Sequence, residues 1–441
     1  MDRPIHMALG RRSPRQDELF IPTAKLAAGP GHPFYTKLNE VLAGAGFDEW
    51  VEQLCAPYYK EGGRPSIAPG VYFRMLFIGY FEGLDSQRGI AWRCADSLAL
   101  RTFLGVALTE ATPVHASMTI IRQRLPESVF DQVFLFVLRL LEQKGLLRGK
   151  AVAIDATTLE ANAAMRSIVR KDKKVSNQQW QSPSDPDSRI AKMKDGRTHL
   201  AYKAEHAVDL ASEAIVATTV TFADKADPQS GPVTLSLAEA NLVLAGNDTA
   251  IAEAVMDKGY HDNRLVAGLT QRGVRTYIPE RRQKSRCWTD KPPEQEQAFR
   301  ANRRRVRGKK GRRLNRWRSE RCERTFAHVC ETGGGRRAWV RGQTNVSKVH
   351  TLKCAAYNLG LLLRKVWGYR KPRNADARAW GPFFGVWGLL AAATLITYGI
   401  TKTEPTPDWG WWWLILLTFL AAHRIWSRQR SWKRACFLTG C

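Results

Sequence analysis

The chain is short of acid. Against 68 Lys and Arg it carries 41 Asp and Glu, a formal net charge of +27, and its pI is near 10.1. Such an imbalance says nothing of fold, but it fits a polyanionic partner: DNA, RNA or an anionic membrane surface. A merely solvated basic surface fits less well, because the charge is clustered. Paired cysteines are also missing. The eight cysteines (Cys55, Cys94, Cys287, Cys322, Cys330, Cys354, Cys436 and Cys441) stand far apart with no CxxC. A zinc site therefore has little support, and reduced thiols are expected. No P-loop occurs, and no GxGxxG followed by a suitable acid, which removes the common nucleotide-binding signatures. The glycines at 333–335 follow a helical pattern and read as a turn. No two histidines share ligand spacing on one helix. The first twenty residues hold no apolar core, so no secretory signal is expected and a cytoplasmic location is the default.

What is present falls into blocks. With 441 residues, the chain can bury a sizeable core in roughly two to three domains. Residues 1–34 read as a loose arm. Residues 35–147 have a helical pattern: GVYFRMLFIGYFEGL (70–84) is apolar all round and should be a buried helix. Asp85 and Ser86 offer an N-cap to the next helix, Leu98–Leu104 forms a third short one, and residues 128–147 form an amphipathic helix ending at Gly145. Short helices with tight turns fit a helix-turn-helix-like bundle. Residues 148–370 change character. AVAID is a short apolar strand-like run, 200–210 and 214–224 read as a hairpin turning at Ala211–Glu213, and helix and strand then alternate to a strand at 273–279. This predicts a mixed α/β sheet. A polar insertion at about 166–198 and a basic linker at about 281–313 interrupt it, and WVRGQ (339–343) looks strand-like before a long helix.

Residues 371–441 form a Trp-rich hydrophobic tail. Trp380–Thr401 and Trp409–Ala422 carry no charge, and basic residues flank their outer ends. A membrane hairpin is one reading, although the second run is short for a bilayer. A tail packing on the protein or a partner subunit is the other, and the soluble reading is preferred.

The chemistry rests on three acids. Asp155 ends the apolar run of KAVAIDATTLEAN, Asp257 ends that of AIAEAVMDKGYH, and Glu323 lies in RWRSERCERTFAH. A carboxylate just past a buried strand sits at a sheet edge, where sites form, though an Asp there also serves simply as a cap. On a helix over 314–329, Arg316, Glu320, Glu323 and Ala327 share one face. Glu323 then either pairs with arginine, contributing roughly 0.3–0.5 kcal/mol, or binds metal while the arginines hold phosphates. Residues 300–324 contain 13 Lys and Arg and two Glu. The candidate phosphate-binding residues are Arg303, Arg304, Arg305, Arg307, Lys309, Lys310, Arg312, Arg313, Arg316, Arg318, Arg321 and Arg324. Trp317 could stack on a base but more readily packs on the core. Carboxylates of this kind can hold Mg²⁺ beside a phosphate backbone, and two such ions serve phosphodiester chemistry. His261, four residues after Asp257, is a candidate supporting group.

Taken together, these segments resemble the DDE transposases of bacterial insertion sequences, over about residues 40–365. GRPSIAPGVYFRMLFIGYFEGLDSQRGIAWRCADSLALRTFLG looks like that family's helical N-terminal domain. AIDATTLEAN, AVMDKGYH and RSERCERTFAH…GGGRRAWVRG…AAYNL resemble the settings of its first Asp, second Asp and Glu. Val114 stands where an Asp is usual, Asn315 where a tyrosine is, and the lysine after the Glu has no clear counterpart. The resemblance implies a ribonuclease-H-like catalytic domain with Asp155, Asp257 and Glu323 binding two Mg²⁺ or Mn²⁺ ions, and Arg318 as a phosphate ligand. It implies cleavage of element ends and joining to target DNA, with double-stranded DNA (terminal inverted repeats and target) as partner and a homodimer on DNA. The alternatives are a degenerate, binding-only transposase and a nuclease without strand transfer.

Overall fold

The computed structural model describes residues 31–60, 66–170, 180–193, 196–281, 287–370 and 372. The fold below is that of the unit Met1–Asp376; the unit Ala377–Cys441, and with it both apolar runs of the tail, lies outside the described residues. So does most of the N-terminal arm. Among the described residues, no helix is long and apolar enough to cross a membrane.

Among the described residues, seven α-helices come first: α1 Pro33–Gly44, α2 Phe47–Cys55, α3 Pro69–Glu82, α4 Gln87–Asp96, α5 Leu98–Leu104, α6 His115–Arg124 and α7 Glu127–Gln143. Helix α3 is apolar on every side because it is buried along nearly its whole length. Its one buried charge, Arg74, is satisfied by a forked pair to Asp48 (2.7 and 3.1 Å), by Asn39 and by the Phe103 carbonyl. Helix α4 begins where its cap predicts: the Ser86 hydroxyl accepts the Gly89 N–H.

The second half is built on a sheet. Its strands are β1 Ala151–Glu160, β4 Arg189–Lys192, β5 Thr198–Asp209, β6 Ile215–Phe222, β7 Glu253–Met256 and β8 Arg275–Tyr277; β2 Val169–Arg170 and β3 Trp180–Gln181 pair separately. The helices are α8 Asp227–Leu244, α9 Asn263–Gln271, α10 Pro293–Arg307, α11 Lys309–Phe326 and α12 Gln343–Trp367. Strands β6, β5 and β1 run antiparallel in that order, and β7 and β8 continue parallel from β1. Both β4 and β6 pair with β5, which completes six strands. This is the ribonuclease-H-like mixed sheet that the resemblance implies. The expected hairpin is β5–β6, and it turns through Glu213 at φ 72°.

Three local expectations are corrected. The polar insertion contributes β4, which pairs with β5 over Arg189–Lys192, so that part of it joins the sheet. The basic linker is largely helix: α10 starts with Pro at its first turn and acids nearby, and α11 follows at once. Its charge density had hidden two amphipathic patterns that bury Ala298, Phe299 and Leu314. WVRGQ forms no strand. Instead the preceding residues pair with the end of β1, through Glu160 N–H to the Arg336 carbonyl and Ala338 N–H to the Glu160 carbonyl.

Helix α12 joins the two halves. It packs against α7 and α3 on one side and β6 on the other. Asn358, fully buried, exchanges two hydrogen bonds with the Ile215 backbone at 3.0 and 2.8 Å. A helix buried on so many sides must find internal partners for its polar groups.

Candidate active site

Asp155 is not past the end of its strand, as its run had implied, but at the fifth position of the ten-residue β1. On the β5 side, pairing continues beyond it to Glu160. On the β7 side it stops at Ile154, opposite Met256. Asp155 and Asp257 therefore each stand one step past the last shared rung of a parallel ladder. That register brings the two carboxylates side by side at one end of the sheet, although 102 residues separate them.

Helix α11 crosses this end and contacts β1, β7 and β5. Its Arg318 bonds Asp155 through Nη1 to Oδ2 at 2.8 Å and approaches Asp257 through Nη2 to Oδ1 at 3.7 Å. The other Asp155 oxygen accepts the Ala156 N–H at 2.9 Å. Burial pushes the Asp155 carboxyl above its ordinary range. Arg318 and the Ala156 N–H oppose this, while the charges of Asp257 and Glu323 add to it. Glu323 is exposed on the same helix and accepts from the Ser319 hydroxyl at 3.2 Å. Among the described residues, the three acids do not draw their oxygens within 4.8 Å of one another. Asp155 and Asp257, hard oxygen donors at one sheet end, suit a hard divalent cation.

The turn bearing Asp257 is held by groups the sequence reading passed over. Glu205 on β5 is fully buried and accepts from Tyr260 Oη at 2.9 Å, Thr234 Oγ1 at 2.7 Å, Ser230 Oγ at 2.5 Å and Lys203 Nζ at 3.0 Å. Lys203 also pairs with Asp227 at 2.6 Å. Glycine is needed where this turn meets α8: a Cβ on Gly259 would lie 2.3 Å from the Asp227 carboxylate, and one on Gly231 2.7 Å from the Tyr260 ring. From outside, Arg281 donates to the Gly259 carbonyl at 2.7 Å. The available signal was the Lys–Ala–Glu of β5, two charges facing one side of a strand that is buried along most of its length.

The opposite face of β5 carries His206, whose neighbours are His350 and Cys354 of α12 and Thr325 of α11. His206 Nε2 lies 2.9 Å from His350 Nε2 and 3.4 Å from Cys354 Sγ, and His206 Nδ1 lies 3.0 Å from Thr325 Oγ1. The Thr325 hydroxyl donates to the Cys322 carbonyl, so it accepts from His206 Nδ1–H, and His206 Nε2 in turn accepts from His350. Both histidines are held neutral. Burial drives His206 far below its ordinary value and His350 down to about 3. One spacing in the sequence pointed here, His350 and Cys354 four apart on α12, but His206 and Thr325 come from two other elements and no periodicity joins them. His261 packs edge-on against Phe299.

The basic residues divide into two sets. Arg303 pairs with Glu280, Arg305 donates to Thr276, Lys310 pairs with Glu253, and Arg324 pairs with Glu213 and Glu320. These hold α10 and α11 to the sheet. Arg313 and Arg321 lie over the Trp317 ring at 5.2 and 4.5 Å. Arg304, Arg307, Lys309, Arg312 and Arg316 are exposed.

Two family models match the chain. Residues 25–124 match the family described as Transposase domain (DUF772), and residues 147–359 match the family described as Transposase DDE domain. No curated protein matches. Among solved structures, the Mos1 transposase paired-end complex with left transposon end matches at 10% identity and a TM-score of 0.19, over 63% of this chain and 82% of that one. A superposition that loose carries no weight here. The two family matches follow each other in the order of the helical half and the sheet, and the chain belongs to the insertion-sequence DDE transposases, enzymes that cleave and transfer DNA strands.

Proposed function

We propose that Asp155, Asp257 and Glu323 are the acidic triad of this transposase and that they hold two Mg²⁺ or Mn²⁺ ions. The observation that carries the reading is the register of β1 and β7, which sets Asp155 beside Asp257 beneath a helix bearing Glu323. Membership in the family brings with it the use of a divalent metal. When bound, such ions offer Lewis-acid stabilisation of charge on the oxygens of a phosphodiester.

The reaction has two in-line displacements at phosphorus. Water attacks at the end of the element; a new P–O bond forms as the P–O3′ bond breaks, leaving a 3′ hydroxyl. That hydroxyl attacks a phosphodiester of the target and expels its 3′ oxygen. The exposed arginines and lysines of α10 and α11 neutralise the backbone of double-stranded DNA, both terminal inverted repeats and target. Two ends must be held together, which calls for two copies of the chain on DNA.

The test is Mn²⁺- or Mg²⁺-dependent cleavage of duplexes carrying the element ends, by wild type and by Asp155→Asn, Asp257→Asn and Glu323→Gln. Loss of cleavage with DNA binding retained in all three supports the triad. Near-normal cleavage by any one removes that residue from it.

A further inference from the structure

We infer that Arg318 is an exchangeable counter-ion of the catalytic acids, and that DNA prepares the site for metal by drawing this arginine away. The inference rests on the proposed triad. Arg318 is only 14% exposed, and its guanidinium reaches both acids, at 2.8 Å and 3.7 Å. Since the Ala156 N–H holds Asp155 Oδ1, Arg318 sits on Oδ2, the oxygen left for a cation. One positive group and a metal ion thus compete for the same acceptor.

The resting position is also incompletely satisfied. Arg318 Nε is buried without a hydrogen-bond partner, and an unmade bond of a buried charged donor is costly. A phosphate oxygen would supply what the protein does not, since arginine binds phosphate through two parallel N–H groups. The route outward is basic: Arg316 is exposed on α11, and Arg321 lies over Trp317 on the same helix. DNA phosphates gather where such side chains point. Moving Arg318 onto a phosphate frees the Asp155 oxygen, and binding of DNA and of metal then becomes cooperative. By linkage, the metal must strengthen DNA binding by the same factor.

Mn²⁺ binding to the full chain, followed by electron paramagnetic resonance of the free ion, tests this without any turnover. A non-cleavable phosphorothioate duplex is the DNA probe, and Arg318→Met, Arg318→Lys and Asp155→Asn are compared with wild type. Without DNA, Arg318→Met should bind Mn²⁺ about tenfold more tightly than wild type. Duplex should tighten wild-type binding by a similar factor and that of Arg318→Met much less. Arg318→Lys, with one ammonium in place of the fork, should fall between. Equal Mn²⁺ affinity of wild type and Arg318→Met, or equal tightening of both by duplex, overturns the inference. Should Arg318→Met not fold, a wild-type Mn²⁺ affinity indifferent to duplex overturns it equally. Unchanged Mn²⁺ binding by Asp155→Asn instead strikes the triad itself, and the inference falls with it.

Discussion

His206 stands directly opposite Asp155 in the antiparallel ladder of β1 and β5, and paired residues of such a ladder present their side chains on one face. The same face is covered by α11, which reaches Asp155 through Arg318 and His206 through Thr325. Thr325 is two residues beyond Glu323. The histidine cluster therefore seats the end of the helix that carries Arg318 and Glu323.

That cluster makes stability depend on pH. Both histidines have folded-state values below the ordinary 6.5, with His350 down to about 3. The unfolded chain then binds more protons than the folded one below pH 6.5. Stability is full above that value and is lost as pH falls, by up to about 1.4 kcal/mol per unit for each histidine. Urea titrations from pH 7.5 to 5 should show this decline. His350→Gln should reduce the slope by about half. An unchanged slope would mean that His350 is already protonated in the fold.

Gly259→Ala tests the seating of Asp257. Its Cβ would meet the Asp227 carboxylate, which is itself tied to Lys203. The turn must shift, and a displacement of about 1 Å at a reacting group can lower rate about a hundredfold. Cleavage should fall on that scale while duplex affinity stays within about twofold. Unaltered cleavage would show that Asp257 does not depend on this turn.

Tyr260→Phe removes one of four donors to a carboxylate that has no exposure. It should destabilise the fold by about 1–2 kcal/mol, read as a lower midpoint in thermal unfolding. Glu205→Ala should cost more, because Lys203 then keeps only Asp227 as an acidic partner. A smaller loss for Glu205→Ala than for Tyr260→Phe would contradict the network.

The two sets of polar residues on α10 and α11 should separate by assay. Arg312→Ala and Arg316→Ala, both exposed, should each lower the slope of log affinity against log salt by about 1, with no change in thermal midpoint. Asn302 is fully buried and bonds the Ile278 N–H and carbonyl at 3.1 and 2.8 Å. Asn302→Leu should cost about 2–4 kcal/mol through two unpaired backbone groups and leave the slope alone. A slope change without instability for Asn302→Leu would reverse the assignment.

Much of this protein was already determined by local sequence. The buried α3, the capped α4 and the β5–β6 hairpin follow from apolar spacing and turn residues, which act over a few positions. The three acids stand out for the same reason, each in a short setting that looks like a family motif. The charge of α10 and α11 was legible as a basic block, but its division into anchors and exposed cations was not. That division depends on where Glu253, Thr276, Glu280 and Glu213 fall once the sheet has formed. Tertiary structure alone decided that Arg318 faces the acids, that Glu205 and Tyr260 meet, and that His206 meets His350. Each of these contacts joins residues 55–163 positions apart. Such contacts are set by strand register and helix packing, and no local periodicity encodes the distance between two elements that fold onto one another.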